Sequence, residues 1–137
     1  MIRAFGAAGA ALLATLLSAS STGWAAETQI TVWNKLAGEG ITAEINGGSL
    51  GSISPGLFYR STQPAVSSDV QGTVTYDIRA ASSNKGCRAT LYVNVTRGVT
   101  VGCSIEPAVS LGDATCTARH WFYITVPACA AELTIDD

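Results

Sequence analysis

Apolar and polar positions alternate with a period of two along most of the chain, the signature of strands with one face buried. Ile41, Ala43 and Ile45 alternate with Thr42, Glu44 and Asn46, and Asn46-Gly47-Gly48 follows as a tight-turn signal. Val70, Gly72, Val74, Tyr76 and Ile78 form one face of the next run, and Ala89, Leu91, Val93 and Val95 one face of another. Val99, Val101, Cys103 and Ile105 continue the pattern. Ala118, His120, Phe122, Ile124 and Val126 share the inward face of a long strand, and Ala131, Leu133 and Ile135 mark the last. Shorter strands are expected near 28–34, 49–53 and 57–61, with Pro55-Gly56 turning the chain between the last two. No segment after residue 25 carries an apolar face at helical spacing.

About nine short strands, each polar on one face, predict an all-β domain of two antiparallel sheets packed face to face. The β-sandwich, immunoglobulin-like or jelly-roll-like, is the first expectation and a small closed barrel the alternative. Thirteen threonines and ten serines between residues 26 and 137 take the place of charges on the outer faces.

The first stretch reads differently. Arg3 precedes a small, apolar run from Ala4 to Leu17, and Gly23-Trp24-Ala25 places small residues at the −3 and −1 positions of a cleavage site. Residues 1–25 are therefore expected to be a secretory signal peptide, leaving one domain over 26–137. The whole chain has 137 residues and a formal net charge of −2. Without Arg3, seven basic residues face ten acidic ones, a net charge of −3. That balance argues against nucleic acid and against attraction to anionic lipid. No segment after residue 25 is long and apolar enough to span a membrane.

Cys87, Cys103, Cys116 and Cys129 all follow the expected cleavage site. An even count in an exported chain implies two disulfides, in the periplasm or outside the cell. Zinc fits poorly, because there is no CxxC pair and His120 is the only histidine. Each cysteine lies in the apolar register of its strand, so all four are expected to point inward. A three-residue loop Thr96-Arg97-Gly98 would pair Val95 with Val99 and set Cys103 opposite Leu91. Cys87 then lies about 13 Å away along the strand, beyond disulfide reach. Loop closure over 104–115 favours Cys103–Cys116, which leaves Cys87–Cys129.

Candidate chemistry is sparse. One histidine, expected to face inward, gives little basis for a Ser-His-Asp site, and paired cysteines leave no thiolate nucleophile. Glu39, Glu44, Asp69, Asp77, Glu106, Asp113 and Glu132 are scattered rather than paired for acid–base work. The chain is therefore expected not to be an enzyme and to need no cofactor or metal. Binding is better supported. Arg119, Trp121 and Tyr123 fall on the outward face of their strand, where they suit stacking on a carbohydrate or a protein. Trp33 with Tyr59 is a second candidate platform. Asn94-Val95-Thr96 matches the N-glycosylation acceptor pattern. The expectation is an exported, non-catalytic binding or structural module. The alternative is a secreted effector, either a membrane-active toxin or an inhibitor acting through the segment Glu106–Thr115.

Overall fold

A computed structural model describes residues 27–125 and 128–137; the expected signal peptide, like Val126 of the predicted inward face, lies outside the described residues. The described chain forms ten strands and no helix: β1 (Thr28–Lys35), β2 (Ile41–Ile45), β3 (Gly48–Ile53), β4 (Phe58–Gln63), β5 (Gly72–Ala81), β6 (Gly86–Thr96), β7 (Val99–Ile105), β8 (Val109–Leu111), β9 (Thr115–Tyr123) and β10 (Ala128–Asp136). They build a four-stranded sheet, β4-β1-β10-β9, packed on a six-stranded sheet, β3-β2-β5-β6-β7, with β8 paired to β6 beside that path. The protein is a β-sandwich, and neither sheet closes into a barrel. Alternating inward residues meet between the sheets: Ile30 and Val32 of β1 and Leu133 and Ile135 of β10 share one core with Ile78 of β5 and Leu91 of β6.

The pairing is antiparallel except between β1 and β10, which run parallel with Val32 beside Leu133. Alternation assigns faces but carries no strand direction. The first and last strands thus meet in the middle of the smaller sheet.

Asn46-Gly47 forms the expected two-residue turn, with φ values of 52° and 82°. The Asn46 side chain also accepts a hydrogen bond from the Asp77 amide at 2.7 Å, which ties this hairpin to β5.

The β6–β7 hairpin departs from the expected loop. Arg97 and Gly98 alone make the turn, with φ of 52° and 77°, so Thr96 pairs with Val99 and Val95 with Thr100. Positive φ at both positions matches the twist of the flanking strands. A two-residue turn here sets Val95 against Thr100 and mixes the faces, and the chain repairs this with a register shift opposite Asn94/Val95. Thr100 is buried, while Val101 is 54% exposed. Beyond the shift Cys103 faces Val93 rather than Leu91.

That register and β8 together decide the disulfides, which are Cys87–Cys116 and Cys103–Cys129, not the expected pairs. The expected Cys103–Cys116 bridge treated 104–115 as a local turn. Instead Glu106 donates to the Thr90 carbonyl, and β8 continues along β6 until Leu111 lies opposite Gly86. The chain crosses to the other sheet there, so Cys116 arrives at the Cys87 end of β6, with Cα atoms 5.6 Å apart. Val93, the partner of Cys103, lies six residues from Cys87 along β6, about 20 Å at strand rise, which puts Cys103 out of reach of Cys116. Cys103 instead meets Cys129 on β10, with Cα atoms 6.2 Å apart. Both bridges join one sheet to the other, and Cys87 and Cys129 lie deep in the core.

One polar side chain organises the edge of the core. Asn34 is fully buried. Its amide donates to the carbonyls of Glu39 at 2.7 Å and Ile53 at 2.9 Å, and its carbonyl accepts from the Leu36 amide at 2.9 Å. Its own backbone bonds to Gly56 and Leu57. One residue therefore holds the β1–β2 connection, the end of β3 and the Pro55-Gly56 turn together, and every donor of its side chain is used.

Candidate binding face

The outer face of the four-stranded sheet is built from residues that alternate with the core. In β1, Thr31, Trp33 and Lys35 alternate with Ile30, Val32 and Asn34. In β10, Glu132 lies between Ala131 and Leu133. In β9, Arg119, Trp121 and Tyr123 take the same side, opposite Glu132, Ala130 and Ala128 of β10. Phe58 of β4 stands beside Trp33.

These side chains form one connected band. The Arg119 guanidinium lies over the Trp121 ring, 5.0 Å from its centroid. The same guanidinium donates to Glu132 Oε1 at 3.1 Å. Glu132 Oε2 accepts from Trp33 Nε1 at 3.0 Å. The Trp33 ring packs tilted on Phe58, with centroids 4.6 Å apart. Lys35 stands over Trp33 at 5.3 Å, and Arg60 over Phe58 at 5.4 Å. Arg60 also donates through Nε to the Thr31 hydroxyl at 3.2 Å. Glu132 is the hinge of this arrangement, because it joins the two aromatic groups from the centre of the sheet. The cation–π contacts and the carboxylate fork hold long side chains in place before any ligand arrives.

Arg119, Trp121 and Tyr123 stand together on the outward face, as the alternation predicts. Trp121 is 38% exposed and Tyr123 53%. The second platform differs from expectation. Tyr59 pairs with Val32, on the opposite side of the sheet from Trp33, and Phe58 takes its place. Sequence reasoning missed Phe58, Glu132, Lys35 and Arg60 as members of this face. The outward registers of Trp33 and Glu132 follow from alternation; their adjacency follows only from the parallel β1–β10 pairing.

His120 is exposed rather than turned into the core, and Ile124 lies in the turn after β9 at 80% exposure. The reason is position. β9 is an edge strand, so its inward register is only partly covered: Cys116, Ala118 and Phe122 are half-buried. Of the scattered carboxylates, Asp77 holds both Arg79 and Arg88, at 3.1 and 3.2 Å, on the outer face of the larger sheet. No cluster of His, Cys, Asp or Glu suited to a metal ion occurs among the described residues. The segment Glu106–Thr115 is not a free loop: it carries β8, with Val109 and Leu111 exposed. Asn94 of the acceptor pattern is exposed on β6 and accepts a hydrogen bond from the Thr73 hydroxyl at 3.2 Å.

The shifted acidities lie away from the band. A hydrogen bond between Lys85 and Asp137, at 2.5 Å, raises the lysine's pKa. The same bond, helped by the Ala37 amide, lowers that of Asp137. Burial, then the neighbouring Glu106 carboxylate, raises that of Tyr92.

Two disulfides fit an oxidising compartment. No helix among the described residues is long and apolar enough to cross a membrane. Comparison with models of known protein families, with curated proteins and with solved structures finds no match to this chain.

Proposed function

We propose that this protein is an exported, non-catalytic binding module that engages its ligand through the outer face of the four-stranded sheet. The observation that carries this reading is the band from Trp121 through Arg119, Glu132 and Trp33 to Phe58. Aromatic rings and charged groups are held there by mutual contacts on a regular sheet, which is the preorganisation a binding surface needs. The export part of the reading rests on the N-terminal pattern of residues 1–25 and on the paired cysteines.

The test is capture from envelope and culture-fluid fractions by the immobilised, oxidised protein. Wild type is compared with Trp121→Ala and Arg119→Ala, after confirming that all three unfold at similar denaturant concentrations. The reading expects a protein or saccharide component that wild type retains and both variants release. Retention of nothing, or equal retention by all three, refutes it.

A further inference from the structure

We infer that the outer face of the four-stranded sheet takes an anionic polysaccharide, with Lys35 and Arg60 holding its acidic groups and Trp33 and Phe58 against its sugar rings. This rests on the binding reading above and gives it a ligand class.

The chain carries more acidic than basic residues. Four of the seven cations among the described residues are ion-paired: Arg79 and Arg88 share Asp77, Lys85 meets Asp137, and Arg119 meets Glu132. Among the described residues, Lys35, Arg60 and Arg97 have no carboxylate within ion-pair distance; Arg97 lies apart in the β6–β7 turn, whereas Lys35 and Arg60 sit on the same face. Asp136 is the register neighbour of Lys35, but its carboxylate accepts from the Asp137 amide instead. Lys35 and Arg60 each stand over an aromatic ring, and those two rings pack on each other. The result is a locally basic, aromatic strip on an otherwise acidic molecule.

The spacing argues for a polymer. Arg60 lies opposite Thr31, four residues from Lys35, so the two backbones are about 13 Å apart with the aromatic pair between them. Acidic groups repeated along one chain match two cations set against neighbouring rings. A chain with repeated acidic groups and apolar ring faces between them meets all four side chains at once. An anionic membrane presents a broad plane of charge, which repels a net-acidic protein. A single thin polyanion meets only the basic strip.

Two matched pairs of probes test this with the oxidised protein by titration calorimetry: dextran sulfate against dextran, and polygalacturonate against its methyl ester. At least one polyanion is expected to bind, with its neutral counterpart at least about tenfold weaker. Lys35→Gln and Arg60→Gln are each expected to weaken that binding about tenfold. Arg97→Gln, in the β6–β7 turn of the other sheet, is expected to change it less than about twofold. Binding of neither polyanion, equal binding of the neutral chains, or an Arg97→Gln loss as large as the other two overturns the inference. Preference for phosphatidylglycerol vesicles over both polyanions also overturns it, and assigns the strip to a membrane. If polyanion binding fails while Trp121-dependent capture persists, only the ligand class falls; if capture is lost as well, the binding reading falls with it.

Discussion

Replacing Asn34 with alanine removes a fully buried side chain that makes three hydrogen bonds to the main chain. A typical buried hydrogen bond contributes about 1 kcal/mol net, and a buried group left without a partner costs about 1–3 kcal/mol. The Glu39 and Ile53 carbonyls and the Leu36 amide are left in that state, to the extent that water cannot reach them. The expected loss is about 3–6 kcal/mol, a large part of the roughly 5–15 kcal/mol that a domain has. Urea unfolding of the oxidised protein, followed by tryptophan fluorescence, measures it as a fall in midpoint of about 2 M. Asn34→Asp keeps the size but loses both donors, and it is expected to destabilise comparably. Thr73→Ala, which removes one exposed hydrogen bond, is expected to stay within about 0.5 kcal/mol of wild type. If Asn34→Ala shifts the midpoint no more than Thr73→Ala does, Asn34 does not hold these three segments together.

Non-reducing digestion and mass mapping are expected to recover peptides linking Cys87 to Cys116 and Cys103 to Cys129, and Cys103–Cys116 peptides in the native protein would contradict the register of β6 and β7. Replacing either pair with serines is expected to cost about 3–4 kcal/mol in urea unfolding, from the length of the loop each closes. Gly98→Ala meets both a φ of 77° and a Cβ 2.6 Å from Ser68 Cα, whereas Gly51→Ala has open space at a φ of 93°. Gly98→Ala is therefore expected to be destabilising by about 2 kcal/mol or more and Gly51→Ala by about 1 kcal/mol, which thermal melts of the two variants will rank. The Lys85–Asp137 pair makes stability depend on pH at both extremes. Asp137 has a lowered pKa, so its contribution is present above the ordinary carboxylate range and is lost as pH falls through its folded value. Lys85 has a pKa raised from 10.5, so its contribution is complete below that value and is lost as pH rises through the folded one. The difference in melting temperature between wild type and Lys85→Met is expected to be flat through neutral pH and to shrink at both ends.

The alternation from Ile41 to Ile45 and from Ala89 to Val95 was enough to predict a β-sandwich, because a period of two with one apolar face leaves few other ways to bury that face. Three things were not legible, each for its own physical reason. Strand direction has no period, so the parallel β1–β10 pair, and with it the meeting of Trp33 and Glu132, was hidden. The register of β7 turned on a bulge at Val101, a local irregularity that alternation cannot reveal. Edge position decided burial in β9, which is why His120 is exposed despite its inward register. Arg119, Trp121 and Tyr123 were legible because outward placement on one strand needs no knowledge of its neighbours. Phe58, Lys35 and Arg60 join them only through pairings between distant parts of the chain.

The binding role proposed for the outer face of the four-stranded sheet is open to a test residue by residue. The most direct test is an NMR titration of the isotope-labelled, oxidised protein with soluble envelope extract, following backbone amides and indole Nε1–H groups. Shifts are expected at the Trp33 and Trp121 indoles and at the Arg119 and Glu132 amides, with Thr75 and Tyr92 on the larger sheet unmoved. Shifts confined to that larger sheet or to Glu106–Thr115, with both indoles unchanged, would contradict that role.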